Sequence, residues 1–125
     1  MNESGRFVRA FADFHKILPA EILAVYDEIA LPLGKIRLRL KGSSGGQKGM
    51  LSLIRHFGTD EISRLRIGIG PQPGQMDSAA YVLDRFSRSQ EAELDAVFDR
   101  SADAIKAAVE NGVEYAMNKY NPVAP

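Results

Sequence analysis

A strict alternation of cationic and aliphatic residues, KIRLRLK, runs from Lys35 to Lys41 and constrains the fold of this chain more than any other feature. A period of two residues is typical of a β-strand with one basic face and one apolar face. A flexible glycine-rich stretch, residues 42–49, follows the strand, and apolar residues at helical spacing then run from Met50 to Phe57. Backbone N–H groups and the helix dipole favour an anion at the N-terminus of such a helix. The segment is therefore typical of a surface that binds phosphate.

The overall composition is that of one ordinary globular domain. The chain has 125 residues, enough for a single core, with 45% hydrophobic and 26% charged residues. It has no cysteine, which excludes disulfides and thiolate metal sites, and its sequence shows no apolar run long enough to cross a membrane. We expect a cytoplasmic protein that needs no metal and no cofactor.

Basic residues are concentrated locally although the net charge is zero. The chain has 16 basic and 16 acidic residues, whereas a dedicated nucleic-acid-binding protein is usually more basic. Between Lys35 and Arg66, however, eight Lys and Arg residues stand against two acidic residues. A local patch of this kind fits a protein that contacts a few phosphates of a nucleic acid.

Hydrophobic periodicity predicts alternating helices and strands. An amphipathic helix is expected from about Ser4 to Lys16, with Phe7, Phe11 and Phe14 in the core. The other expected elements are a short buried strand Glu21–Tyr26, a turn Leu31–Gly34, the basic strand, a helix over residues 46–57 that ends at Gly58, a strand Arg64–Gly70, and a long helix from the capping box Ser87–Gln90 to Asn121 with a break at Gly112.

This order of elements predicts an α/β fold. We expect one domain over residues 1–125, in which helices flank a mixed twisted sheet. Three strands are few for such a sheet, and the first helix begins almost at Met1 with no strand before it. We therefore expect the chain to lack the front part of its fold.

Several short motifs together resemble those of the bacterial-type peptidyl-tRNA hydrolase family over nearly the whole chain. Each motif is weak by itself, but their order and spacing are specific. They are Met1–Gly5 (MNESG), Tyr26–Gly34 (YDEIALPLG), Lys35–Leu40 with Gly45–Gly46 and Gly49–Ile54, Arg64–Pro71 (RLRIGIGP), and Asp77 with Tyr81–Leu83. The resemblance implies the C-terminal two-thirds of the family's fold, truncated at the N-terminus.

The resemblance also implies an activity, namely hydrolysis of the ester between a peptide and the 3′ end of its tRNA. At the matching positions, Asp27 is the carboxylate that orients a histidine general base, and Asn2 binds the substrate. Gln47 and Lys48 stand where the family usually has His-Asn and are further substrate-binding candidates.

Contacts to tRNA phosphates are implied for two positions of the basic strand, Arg37 and Arg39. One of Arg64 or Arg66 is expected to join them. The partner is then peptidyl-tRNA or tRNA. Without the resemblance, Asp27 alone would be interpreted as a residue that caps a turn, and the basic strand as a solvated sheet edge.

The family's catalytic histidine has no counterpart in the chain, because the motifs that carry it, G-N-P-G and T-R-H-N, are absent. His15 and His56 stand near the C-terminal ends of predicted helices, where the helix dipole favours a cation, so we assign neither to catalysis. Two functions stay open: an ester hydrolase whose sequence starts too late, or a tRNA- or RNA-binding homologue that does not cleave. In either case we expect exposed strand edges that lead to self-association or marginal stability.

Overall fold

The computed structural model describes residues 3–70 and 88–121. In chain order these residues form helix α1 Ser4–His15, a 3₁₀ turn Pro19–Glu21, strands β1 Leu23–Pro32 and β2 Ile36–Arg39, helix α2 Lys48–Phe57, strand β3 Ser63–Gly70, and helices α3 Arg88–Asn111 and α4 Val113–Tyr120. The strands form one sheet in the order β1-β3-β2. The predicted α/β fold is confirmed.

Most predicted boundaries agree with the structure to within a few residues. Gly58 ends α2 with a φ of 70°, and Gly112 separates α3 from α4 with a φ of 96°. Both values lie in the left-handed region that favours glycine, which is why these residues signalled helix ends in the sequence. The capping box Ser87–Gln90 lies partly outside the described residues.

Strand β1 differs from its prediction. A short buried strand was expected to end at Tyr26, whereas β1 continues to Pro32 and has only half-buried and exposed positions. The reason is its place at an edge of the three-stranded sheet, where alternate residues face solvent and Asp27 and Glu28 fit without penalty. Pro32 is tolerated because it stands at the end of an edge strand.

The chain divides into two compact units. One unit consists of the residues up to Ala24 together with Arg39–Arg64. The other consists of Val25–Leu38 together with the residues from Leu65 onward. The prediction of one domain over residues 1–125 stays a prediction.

In the first unit, α1 packs closely on α2 through small residues. The backbone N–H of Gly5 donates to Oγ of Ser52 at 2.9 Å, and a Cβ added at Gly5 would lie 2.1 Å from the Ser52 carbonyl oxygen. Only glycine permits this approach. Ala12 is also buried, whereas Phe7, Phe11 and Phe14 are 62%, 61% and 81% exposed. The expectation of a phenylalanine core was therefore wrong, since the glycine-alanine face of α1 is the buried one.

In the second unit, the core is built from strand residues and a small-residue stripe on α3. Ile36 and Leu38 of β2 and Leu65 of β3 are fully buried. The buried positions of α3 repeat every three or four residues, as expected for one helical face: Val97, Ser101, Ala104, Ala107 and Ala108. Asn121 follows α4, and its side-chain oxygen accepts from Leu38 N at 2.6 Å while its side-chain nitrogen donates to Leu38 O at 2.9 Å. This amide therefore replaces a strand neighbour for Leu38.

Candidate functional site

The basic strand β2 presents its cations as the alternation predicted. Ile36 and Leu38 are buried. Arg37, which lies between them, is half-buried, and Arg39 at the end of the strand is exposed. Nε of Arg37 is a buried nitrogen without a hydrogen-bond partner among the described residues. A buried donor left unpaired costs about 1–3 kcal/mol, so an acceptor that reached this guanidinium would recover part of that cost.

Arg64, the first of the two alternatives on β3, is entirely buried. Its guanidinium donates to three backbone oxygens, those of Ser43 at 2.7 Å, Asp60 at 3.0 Å and Ile62 at 3.1 Å. These bonds tie the glycine-rich stretch to the turn before β3. The structure thus places Arg64 inside the fold, and the geometry does not support its expected contact with a tRNA phosphate.

Arg66, the second alternative, is half-buried and donates from Nε to the hydroxyl oxygen of Tyr26 at 3.2 Å. Tyr26 stands directly before Asp27 on β1, so one strand pair brings Arg66 next to the residue that precedes the candidate carboxylate. The sequence interpretation missed Tyr26 as a partner. Its position in the YDE motif could have suggested it.

Asp27 lies in the middle of β1 and is exposed. Among residues 3–70 and 88–121, no hydrogen bond or ion pair engages its carboxylate. Its oxygens are therefore able to accept a hydrogen bond from a group that is not among the described residues, as an orienting carboxylate must.

Gln47 and Lys48 occupy the start of α2. The Gln47 side-chain oxygen accepts from the N–H of Met50 at 2.6 Å, so this residue is the N-cap of the helix. Sequence reasoning missed that role because glutamine is not among the preferred N-cap residues. Lys48 is exposed at the first helical position, and the first turn has no acidic residue.

Both histidines have structural neighbours that account for their positions. Nδ1 of His56 contacts the Ser52 carbonyl oxygen at 2.9 Å, and since a carbonyl only accepts, this nitrogen carries the hydrogen. The His15 ring lies 4.3 Å from the Phe11 ring and 5.0 Å from the Phe14 ring, centroid to centroid. Neither contact is that of a general base held by a carboxylate.

Two further findings bound the site. Asn2, the expected substrate-binding amide, lies outside the described residues, as do Asp77 and Tyr81–Leu83 of the last motif. Within the described ranges, no three His, Asp or Glu side chains are grouped as a metal site would require, and no helix there is long and apolar enough to span a membrane.

The family model described as peptidyl-tRNA hydrolase matches residues 1–125. The chain belongs to the peptidyl-tRNA hydrolase family. It is 49% identical over 121 residues to the peptidyl-tRNA hydrolase of Elusimicrobium minutum and 51% identical over 124 residues to that of Chloroflexus aggregans. These alignments cover 97% and 98% of this chain but 65% and 66% of the relatives. The chain thus spans about two-thirds of the length of these relatives.

Solved structures agree with this family assignment. The crystal structure of peptidyl-tRNA hydrolase from Acinetobacter baumannii superposes on the chain with a TM-score of 0.81 at 33% identity. The match covers 98% of this chain and 64% of that structure. The chain therefore has the peptidyl-tRNA hydrolase fold over its own length, and the resemblance noted in its motifs is confirmed.

Proposed function

We propose that this chain serves the hydrolysis of the ester between a peptide and tRNA, the reaction that recycles tRNA in translation. The observation that carries the proposal is membership of the peptidyl-tRNA hydrolase family along all 125 residues, with relatives at 49% and 51% identity. The partner is peptidyl-tRNA or free tRNA. A protein with this substrate works where translation takes place, in the cytoplasm.

The tRNA-binding part of the proposal rests on β2 and β3. Arg37 is half-buried, its buried Nε has no hydrogen-bond partner among residues 3–70 and 88–121, and Arg39 is exposed on the same strand face. Of Arg64 and Arg66 on β3, Arg64 is buried and Arg66 is partly exposed, so Arg66 is the proposed phosphate contact. Guanidinium groups suit phosphate because they offer planar, paired donors.

The catalytic part rests on Asp27, as the carboxylate that orients a general base. Asn2, Gln47 and Lys48 remain proposed substrate contacts. The chain's two histidines, His15 and His56, are engaged with aromatic rings and a backbone carbonyl. We therefore propose that residues 1–125 hold tRNA and carry Asp27 without supplying a histidine base.

A peptidyl-tRNA assay tests this proposal. We expect the 125-residue chain to bind tRNA and to hydrolyse peptidyl-tRNA about 10²- to 10⁴-fold more slowly than the Elusimicrobium minutum relative, because this is the factor that a general base usually contributes. The Asp27→Asn variant of this chain should bind tRNA equally well.

Two results would contradict the proposal. If the chain does not bind tRNA, the family's function does not extend to it. If the chain matches the relative in turnover and Asp27→Asn removes that turnover, a general base lies within these residues and His15 or His56 must be reassigned.

A second candidate function is binding of tRNA or another RNA without cleavage. The engagement of both histidines favours it, because binding needs the cations of β2 and no base. The two candidates differ in one measurement. A single-turnover assay with enzyme in excess detects slow hydrolysis by a weak enzyme, whereas a binding homologue leaves peptidyl-tRNA intact beyond the spontaneous rate.

We also propose self-association. In the described sheet β1 is an edge strand, which can pair with another chain. The exposed rings of Phe7, Phe11 and Phe14 on α1 provide a second apolar surface that association would cover.

A further inference from the structure

A side chain that follows α4 holds the strand that carries Arg37 and Arg39. Leu38 separates these two arginines, and Asn121 binds both of its backbone groups: Oδ1 accepts from Leu38 N at 2.6 Å, and Nδ2 donates to Leu38 O at 2.9 Å. Leu38 N belongs to the peptide group shared with Arg37, and Leu38 O belongs to the peptide group shared with Arg39. One amide side chain therefore fixes both peptide groups that lie between the two cations.

Strand β2 depends on this contact because it is short and lies at the end of the described sheet. It has four residues, and in the order β1-β3-β2 only one of its edges is paired with another described strand. Leu38 is fully buried, and a buried backbone group without a partner is costly. Without Asn121, the N–H and C=O of Leu38 would regain partners only if β2 moved toward water. The arginines on either side of Leu38 would then move with it.

Asn121 is itself held by two helices. Its backbone N–H donates to the carbonyl oxygen of Met117 in α4 at 3.1 Å. Arg100 of α3 donates from Nη2 to the carbonyl oxygen of the preceding residue, Tyr120, at 2.9 Å. The amide that binds β2 is thus fixed from outside the strand. Preorganisation of this kind lowers the entropy that a binding surface loses when it takes up a ligand.

Arg37 is the residue for which a fixed backbone matters most. It is half-buried, and its buried Nε has no hydrogen-bond partner among residues 3–70 and 88–121. A half-buried side chain has fewer rotamers open to it than an exposed one, so it corrects less of a shift of its own backbone. Paired donation from a guanidinium to a phosphate also requires a defined geometry. The position of β2 should therefore control how well Arg37 binds an anion.

We propose that Asn121 is a positioning residue for the phosphate contacts of β2. Its amide holds the strand so that Arg37 and Arg39 face the same stretch of nucleic-acid backbone, and Asn121 itself makes no contact with tRNA. The inference rests on the proposed function, from which it takes phosphate as the ligand. A purely structural role would lower stability, but its effect on binding would not depend on the two arginines. That dependence is the quantity to measure.

A double-mutant cycle on tRNA binding measures it. Asn121→Ala is titrated with tRNA in three backgrounds: the unmodified chain, the chain with Arg37→Ala and Arg39→Ala, and the chain with Arg66→Ala. We expect Asn121→Ala to weaken binding about 2- to 10-fold in the first and third backgrounds, the factor that corresponds to the net contribution of one hydrogen bond. In the second background, which lacks both β2 arginines, it should have no further effect.

Asn118→Ala is the matched control, because Asn118 is an exposed asparagine on α4. It should leave binding unchanged in every background. Urea unfolding verifies that each variant is folded under the conditions of the titration. If Asn121→Ala is not, Arg100→Gln replaces it, because this change removes the support at the Tyr120 carbonyl and leaves both bonds to β2 in place. It should show the same dependence on the background relative to Lys106→Gln, which removes an equal charge from α3.

Inorganic pyrophosphate, titrated against the backbone amide NMR signals of Arg37 and Arg39, separates this inference from the proposed function. If tRNA binds and Asn121→Ala matches Asn118→Ala, the positioning role is overturned and the proposed function stands. The same holds if the loss persists without the two arginines. If tRNA does not bind but pyrophosphate binds at β2 with the expected dependence on Asn121, the proposed function fails and the positioning role stands. If neither binds, both fail.

Discussion

At the scale of single residues, Arg64 and Arg66 show how two identical side chains on one strand acquire different roles. Both belong to the motif RLRIGIGP and both alternate onto the same strand face. Arg64 donates to three backbone carbonyls in the interior, whereas Arg66 makes one hydrogen bond to Tyr26 and remains partly exposed. Alternation alone could not distinguish them, because the difference comes from the carbonyls of Ser43 and Asp60.

We predict opposite effects for Arg64→Ala and Arg66→Ala. Arg64→Ala should lower the free energy of unfolding by about 2–4 kcal/mol, because it leaves three carbonyls without their charged donor. Arg66→Ala should cost less than about 1 kcal/mol and should weaken tRNA binding instead. Urea unfolding and tRNA titration of both variants measure this. Equal losses of stability, or a tRNA defect in a stably folded Arg64→Ala variant, would contradict the assignment.

At the scale of elements, β2 is the strand whose role follows most directly from its sequence. Its aliphatic residues are buried, and Arg37 and Arg39 remain on the opposite face, as the alternation predicted. The side chain of Asn121 bonds to the backbone of Leu38 and so covers part of the outer edge of β2. No periodicity could have revealed this contact, which joins residues 83 positions apart in the sequence.

We predict that Arg37→Ala and Arg39→Ala each weaken tRNA binding and flatten its salt dependence. Each lost phosphate contact should reduce the log–log slope by about 0.7 to 0.9. Lys106→Ala on α3 serves as the control for a general loss of charge. Slopes in both β2 variants equal to that of Lys106→Ala would remove β2 from the tRNA-binding surface.

At the scale of the whole molecule, the fold leaves an apolar surface of α1 exposed to solvent. Phe7, Phe11 and Phe14 of α1, together with Leu18 just after the helix, recur at intervals of three or four residues and are 61–81% exposed. At roughly 200 Å² for each large side chain, this α1 stripe leaves on the order of 500 Å² of apolar surface in water. Two copies that covered it would bury about 1,000 Å², the lower limit for a specific interface.

We predict that the chain self-associates through this α1 stripe. Sedimentation velocity should show a mass that increases with concentration, and Phe11→Ser with Phe14→Ser should shift the molecule toward monomer without lowering its stability, because both rings are exposed. Val109→Ser is the control, since Val109 is 78% exposed on α3 and is not part of the stripe. A monomer at every concentration, or equal effects of Val109→Ser, would exclude the stripe as the interface.

The sequence by itself determined the features that depend on neighbours along the chain. The two-residue period specified β2, the spacing from Met50 specified α2, and glycines at positive φ specified the ends at Gly58 and Gly112. The motifs likewise identified the family. The tertiary structure alone decided which face of α1 is buried, how far β1 extends, and that Arg64 is interior. These outcomes depend on which distant backbone groups approach each side chain, such as the Ser52 carbonyl at Gly5, and a local pattern contains no information about that approach.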